Sequence, residues 1–406
     1  MHRLIKFKNN MGNSEVLKSI SKIIFVVMVF SQIFFAASTF NWNPSFSLGI
    51  RWIYLIRNQA SFLVIFFCLL TKKFTALEVK CFSLIILFSL LFTHIRYFRW
   101  EAIYILATAM VIRDEDDRWV ANSLFWMYLV NFIFVLSLTY FDVIESAVQY
   151  RDGISRFSLG FVHPNTTGAM ILAIFITYLL KKKENPSLYV LVSFIPAFLI
   201  LNQRLGSRTA FIVIIFMITC IIALKLFGEW GIRLDALSKY RAICINVLPF
   251  LFLFISYLLS FFFTREIGAF RFLNRLFTWR LGLGHFFVHE YPITLWGVDI
   301  YQNAHDPESI YIHGYRLLDN GFLLSLLVLG LFYTIFRLLY FSWLGNEMIK
   351  RGYKYIPIIL TGIFLFGFME DFIWSPVWNV LFLFGAIFLK EYAMKRKETD
   401  IPDPTS

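Results

Sequence analysis

Three stretches of this chain group guanidinium, imidazole and carboxylate side chains closely enough to hold an anion and move a proton. The first is Arg156-Phe-Ser-Leu-Gly160-Phe-Val-His163-Pro164-Asn165. Its imidazole stands just before a helix start, with Pro164 suited to the first turn and exposed amides nearby that favour an anion. A plain capping turn is the competing reading. The second is Asn202-Gln203-Arg204-Leu205-Gly206-Ser207-Arg208-Thr209. Ser207 can cap the following helix, and Arg208 then falls in the first turn, where the helix dipole disfavours a cation. An arginine so placed calls for a bound anion, or for an ion pair to Asp152, Glu266 or another carboxylate on the same side. The third begins at Arg271-Phe-Leu-Asn-Arg275-Leu-Phe-Thr-Trp-Arg280 and continues through His285, His289-Glu290 and His313 to Asp319-Asn320-Gly321. On a helix Arg271 and Arg275 share one face. A carboxylate at the edge of an apolar helix is costly unless partnered or functional, which singles out Asp319. His285 and His289 are spaced as zinc ligands can be, but HEXXH is absent and no third ligand is well placed, so no metal site is expected.

These stretches sit at the ends of apolar segments. The chain is 406 residues long, 59% hydrophobic, 19% aromatic and 16% charged, with a mean hydropathy of +0.68. Such a composition excludes a soluble enzyme and describes an integral membrane protein. At 1.5 Å per residue a span needs roughly 20 apolar residues. On that ruler about 12 candidates lie near 23–38, 52–70, 79–94, 100–112, 119–140, 160–180, 187–201, 208–226, 243–263, 319–341, 355–369 and 376–390. The expected fold is an all-α polytopic membrane protein, a single integral membrane domain over 1–406, with a cytoplasmic tail at 391–406. The run following the basic residues 1–22 is expected to be a retained first helix, since many spans follow it.

The spans divide the 38 cations into alternating loops of 25 and 13. The larger set holds all 17 Lys with 8 Arg; the smaller is Arg alone: Arg51, Arg57, Arg96, Arg99, Arg151, Arg156, Arg204, Arg208, Arg265, Arg271, Arg275, Arg280 and Arg316. The lysine-rich side is cytoplasmic by the positive-inside rule, which puts both termini inside and these arginines outside. Most of the net charge of +12 therefore sets orientation, and nucleic acid is not an expected partner. His94, His163, His285, His289, His305 and His313 fall on the arginine side. Guanidinium grips phosphate or carboxylate bidentately, as an ammonium cannot. Arg51, Arg57, Arg96 and Arg99 flank apolar runs and read equally as interface anchors.

One outer loop is long. Residues 264–318 separate the ninth and tenth spans and are too apolar for disorder, so amphipathic helices on the outer interface are expected there. Cys68, Cys81, Cys220 and Cys244 lie in apolar runs or at their ends and read as core residues.

Through Gly160-Phe-Val-His163-Pro-Asn165, Gly206-Ser207-Arg208-Thr209-Ala210 and Leu318-Asp319-Asn320-Gly321-Phe322-Leu323, with Gly330 beyond, the chain resembles the Wzy-type polysaccharide polymerases of capsule and exopolysaccharide systems. These are related to the O-antigen polymerases and ligases. Motif order, intervening spans and the long outer loop match over most of the chain. The resemblance implies a metal-independent, glycosyltransferase C-like enzyme without cofactor. It would act on undecaprenyl-pyrophosphate-linked oligosaccharide at the outer face of the cytoplasmic membrane, with a flippase and a chain-length regulator as companions. A diphosphate leaving group needs guanidinium, for which Arg156, Arg208 and Arg280 are the first candidates, with Arg271, Arg275 and Arg204 behind them. The acceptor hydroxyl needs a base: Asp319, His313 or His163, in that order, with Asn165, Ser207 and Asn320 in support. A flippase of the same lipid-linked units and an O-antigen-ligase-like transferase are the rival readings.

Overall fold

A computed structural model describes residues 15–42, 47–91, 96–151, 153–229, 234–277, 279–300, 318–375 and 377–399. The chain is mostly helical and forms two compact units, one of Met1–Lys181 with Val380–Ser406 and one of Lys182–Asn379. Among the described residues five helices are long and apolar enough to cross a membrane: Glu15–Ala37, Asp117–Tyr140, Leu188–Leu205, Arg208–Leu226 and Gly321–Lys350. A sixth crossing results if Lys239–Asn246 and Leu248–Phe261, bent by 48° at their junction, count as one.

The first unit contains α1 (Glu15–Ala37), α2 (Ser47–Thr71), α3 (Ala76–Leu91), α4 (Arg96–Ile112), α5 (Asp117–Tyr140), a hairpin of β1 (Val148–Arg151) and β2 (Ile154–Phe157), and α6 (Pro164–Lys182). The hairpin is a small departure from the expected all-helical fold. α4 is the hub: α1, α2 and α3 pack on it, and so does the returning end of the chain. Every residue from Leu106 to Ile112 is consequently buried, with Ala107 and Ala109 small enough for close approach. α6 is buried from Thr166 to Leu180, the pattern of a helix that is apolar on all sides. Its Thr177 hydroxyl satisfies itself on the Ala173 carbonyl one turn back.

The end of this unit that the sequence assigns to the inner side is closed by charge. Thr75 and Glu78 form a reciprocal cap on α3: the Glu78 carboxylate accepts the Thr75 N–H at 2.7 Å, and the Thr75 hydroxyl accepts the Glu78 N–H at 3.3 Å. Buried Arg113 faces Glu78 at 3.1 Å and lies over the Phe74 ring. Asp114 gathers Lys72 at 3.0 Å and Lys390 at 2.6 Å.

The twelfth expected span, 376–390, is not one helix. A 3-10 turn, Val380–Phe384, leads into α16 (Gly385–Thr399), which runs on through the basic stretch expected to be tail. The chain segment that packs on α4 is thus short and broken, and its length cannot be read from hydropathy.

The second unit contains α7 (Leu188–Leu205), α8 (Arg208–Glu229), α9 (Leu234–Asn246), α10 (Leu248–Phe261), α11 (Gly268–Leu276), α12 (Arg280–Glu290), α13 (Gly321–Leu324), a π-helical turn Ser325–Leu329, α14 (Gly330–Lys350) and α15 (Ile356–Gly367). Short, apolar α15 packs against α8, α9, α10 and α14. The long expected loop contains two helices of different character. α11 lies exposed, as an interfacial helix would, whereas α12 packs on α10 and buries Leu281, Gly284, Phe287 and Val288.

The π-helical turn ends at Gly330, whose φ of +85° interrupts the helix and frees backbone groups inside apolar surroundings. Residues 294–298 supply the partners. Val298 N–H donates to the Leu327 carbonyl at 2.8 Å, and Leu331 N–H donates to the Thr294 carbonyl at 2.9 Å. A Cβ on Gly297 or Gly330 would overlap the other strand's backbone, so both crossing points need glycine.

Arg337 lies within the tenth expected span, 319–341. It is buried on α14 with its guanidinium 4.4 Å from the Tyr333 ring and 5.2 Å from that of Trp374. Helical side chains lean toward the N-terminus, which carries this charge back toward Trp374 and the start of α13.

Burial pushes the Asp114 carboxyl up, but Lys72, Arg113 and Lys390 together pull it below the ordinary carboxylate value. The stability it contributes is therefore present above the unfolded value of about 3.9 and lost as pH falls through the lower folded value. The melting temperature of Asp114→Asn in detergent should lie below that of the native chain near neutral pH. The gap should close as pH drops below about 4, and an unchanged gap at about pH 3 would contradict this assignment.

Candidate functional site

The polar centre of the second unit is assembled from four helix ends. α15 stops at Gly367, and the chain delivers Glu370 just before the 3-10 turn Asp371–Trp374. The Trp374 indole N–H donates to the Gly321 carbonyl and pins the start of α13. Asn320 caps that helix, its Oδ1 accepting the Leu323 N–H at 3.0 Å and its Nδ2 donating to the Ser256 hydroxyl at 3.3 Å. Asp319 is thereby held one residue ahead of the cap. On the facing side Trp279, with φ of +70°, turns the chain into α12, and Asn274 accepts the Gly282 N–H at 3.0 Å. Arg280 is the first residue of that helix.

There the guanidinium is shared. Arg280 Nη2 donates to Glu370 Oε1 at 2.7 Å, and its Nε lies 3.4 Å from Asp319 Oδ2. The same Glu370 oxygen accepts the Thr209 hydroxyl at 3.3 Å, which ties in the start of α8. A cation in the first turn of a helix opposes the dipole, and the two carboxylates offset that cost. The side chains of Arg280 and Glu370 are 8% and 5% exposed, whereas Asp319 is 38% exposed. Glu370 and Arg280 therefore form the buried part of the centre, and Asp319 is the carboxylate a substrate can reach.

The other described sequence candidates of this unit lie on or beside α7, α8, α11 and α12. Gly206 closes α7 in a left-handed conformation, and the Ser207 carbonyl accepts the Phe211 N–H at 3.4 Å, so Ser207 takes the expected capping place. Arg204 and Arg208 are exposed on either side of this turn. Arg271 and Arg275 are exposed one turn apart on α11, as their spacing predicts, with exposed Phe272 and Leu276 beside them. His285 Nδ1 meets the Ser260 carbonyl at 3.0 Å, and the His285 and His289 rings pack 4.2 Å apart. Among the described residues no three His, Cys, Asp or Glu side chains group as metal ligands. His313 lies outside the described residues.

Arg156, His163 and Asn165 meet in the first unit. Arg156, buried on β2, donates from Nη2 to Asn165 Oδ1 at 2.7 Å. His163 precedes α6, and its Nδ1 accepts the Asn165 N–H at 2.9 Å. This is the geometry of a capped turn. It places the neutral ring's proton on Nε2 and commits the lone pair a base would use. Gly160 reaches φ of +86° beside α5, where a Cβ would overlap the Thr139 hydroxyl, which accounts for glycine at this point of the motif.

Sequence reasoning missed Glu370 and the role of Thr209. The available signal was the acidic pair Glu370-Asp371 at the end of a long apolar run, a placement as costly as that of Asp319. No family model, no curated protein and no solved structure matches the chain.

The burial pattern predicts an asymmetry in stability. Glu370→Leu strands a buried guanidinium and should cost about 3–5 kcal/mol. Asp319→Asn, at the open side of the centre, should cost about 1 kcal/mol or less. Thermal unfolding in detergent measures both, and equal losses would contradict the division into a buried and an open carboxylate.

Proposed function

We propose that this chain is a membrane glycosyltransferase that polymerises undecaprenyl-pyrophosphate-linked oligosaccharide repeat units on the outer face of the cytoplasmic membrane. In this reading the protein has about 12 spans in a glycosyltransferase C-like arrangement, both termini are cytoplasmic, and a flippase and a chain-length regulator work beside it. The observation that carries the reading is the half-open Asp319 carboxylate, held against buried Arg280 at the apolar helix ends that the sequence assigns to the outer side.

The chemistry follows from those groups. An acceptor sugar hydroxyl attacks the anomeric carbon of the donor glycan, and Asp319 takes the hydroxyl proton as the new glycosidic bond forms. The anomeric carbon–oxygen bond to the carrier breaks, and undecaprenyl pyrophosphate leaves with the bonding electron pair. Negative charge grows on the diphosphate, and guanidinium forks are suited to it. Arg280 is already engaged by two carboxylates, so its part is to position Asp319. The exposed Arg208, Arg271, Arg275 and Arg204 are the second unit's groups for the diphosphate.

A transporter of the same lipid-linked units is the second reading. The break at Gly330 favours it, because discontinuous helices often form transporter binding sites.

Complementation of a deletion strain separates the two. Asp319→Asn at normal protein level should lose long polymer, with a rate loss of about 100-fold or more, and should leave single repeat units on carrier lipid at the outer face. Arg208→Lys should lose nearly as much activity as Arg208→Ala, because an ammonium lacks the fork. Full-length polymer from Asp319→Asn removes it as the base. Repeat units trapped at the inner face would favour the transporter.

A further inference from the structure

The hairpin β1–β2 carries an exposed apolar face that no step of the proposed reaction uses. In its register Val148 pairs with Phe157 and Tyr150 with Ser155, while Gln149 pairs with Arg156. Paired residues share a face of the ribbon. Arg156 is buried on one face, against Asn165 at the start of α6. Tyr150 and Val148 on the other face are 79% and 44% exposed.

The helix that leads into the hairpin has an exposed apolar side of its own. α5 exposes Trp126, Val130, Ile133 and Phe134, which lie along one side of the helix, and buries Val120, Ala121, Leu124, Tyr128, Asn131 and Val135 on the other. Stepping 100° per residue, Tyr140 and Phe141 return to the exposed side, and they are 82% and 72% exposed. The hairpin is fixed to this end of α5. The Thr139 hydroxyl donates to the Leu159 carbonyl at 3.3 Å, the Ser158 N–H donates to the Ala147 carbonyl at 2.9 Å, and Ile144 is buried beneath the turn.

We infer that the hairpin is a membrane-interface element, with Tyr140, Phe141, Val148 and Tyr150 seated among phospholipid headgroups and upper acyl chains at the end of α5. A contiguous exposed apolar patch of this kind marks a membrane or partner surface. Tyrosine suits the bilayer boundary because its ring is apolar and its hydroxyl is wet. Asp142 and Glu145, exposed beside the patch, reach the water above it. The inference is independent of the polymerase reading. If that reading holds, Arg156 and the His163 turn, on the hairpin's other face, stand at headgroup depth, where the diphosphate of a lipid-linked substrate lies.

The test replaces Tyr150 by the photoreactive p-benzoylphenylalanine, similar in shape and at an exposed site. The full-length protein is placed in vesicles of phosphatidylethanolamine and phosphatidylglycerol. Ile133 and Glu145 carry the same substitution as lipid and water references, and Val148 is a second position on the same face if the Tyr150 variant does not fold. After irradiation, mass spectrometry should find a phospholipid adduct at Tyr150 with a yield close to that at Ile133 and several-fold above that at Glu145. A yield at the Glu145 level, a cross-link to a second copy of the chain, or an adduct only with added oligosaccharide would overturn the inference.

Discussion

Burying a guanidinium in an apolar helical bundle is costly unless its charge is met, and around Arg280 two carboxylates meet it. Glu370 must reach it from the end of α15, Asp319 from the start of α13, and Thr209 from the start of α8. Each of those ends is shaped for the purpose. α15 stops early, Trp374 holds Gly321, Asn320 caps α13, and Trp279 adopts a left-handed conformation to begin α12. The backbone break at Gly330, satisfied by residues 294–298, holds the segment after α12 against the same helix that begins at Gly321. A half-open carboxylate with a buried guanidinium behind it is the product.

The contacts within each unit also respect the sides assigned by alternating the apolar segments. Lys72, Arg113, Asp114, Glu78 and Lys390, all assigned inside, meet one another in the first unit. Lys225 and the Asn185–Pro186 turn, likewise assigned inside, meet in the second. Thr209, Arg280, Asp319 and Glu370, assigned outside or to its edge, form the centre there. The two kinds of cation behave differently as well. The lysines Lys72, Lys225 and Lys390 meet carboxylates and carbonyls near the surface, whereas Arg280 and Arg113 sit buried beside carboxylates.

Much of this was legible in the residues, for physical reasons that mark where legibility ends. Apolar runs mark helices because backbone and side chains must both leave water together, and each of the twelve expected segments contains helical structure. The helix starts at Asn320 and at the His163 turn were legible because helix caps use few residue types, and Asp319 because a carboxylate at an apolar helix edge is costly. Glu370 was not, since its partner lies 90 positions away and no local pattern announces a long-range ion pair. The broken twelfth segment and the π-helical turn escaped for a related reason: tertiary contacts replace the lost helical hydrogen bonds, and composition does not record them.

Sidedness is the claim on which the site and its chemistry both depend, and thiol labelling measures it directly. In a full-length background lacking Cys68, Cys81, Cys220 and Cys244, single cysteines are placed at Glu266→Cys, exposed just before α11, and at Lys182→Cys, exposed at the end of α6. A membrane-impermeant maleimide applied to intact cells should modify the cysteine at 266 and reach the one at 182 only after permeabilisation. Labelling of 182 with protection of 266 would place the Arg280 centre in the cell interior and contradict the account.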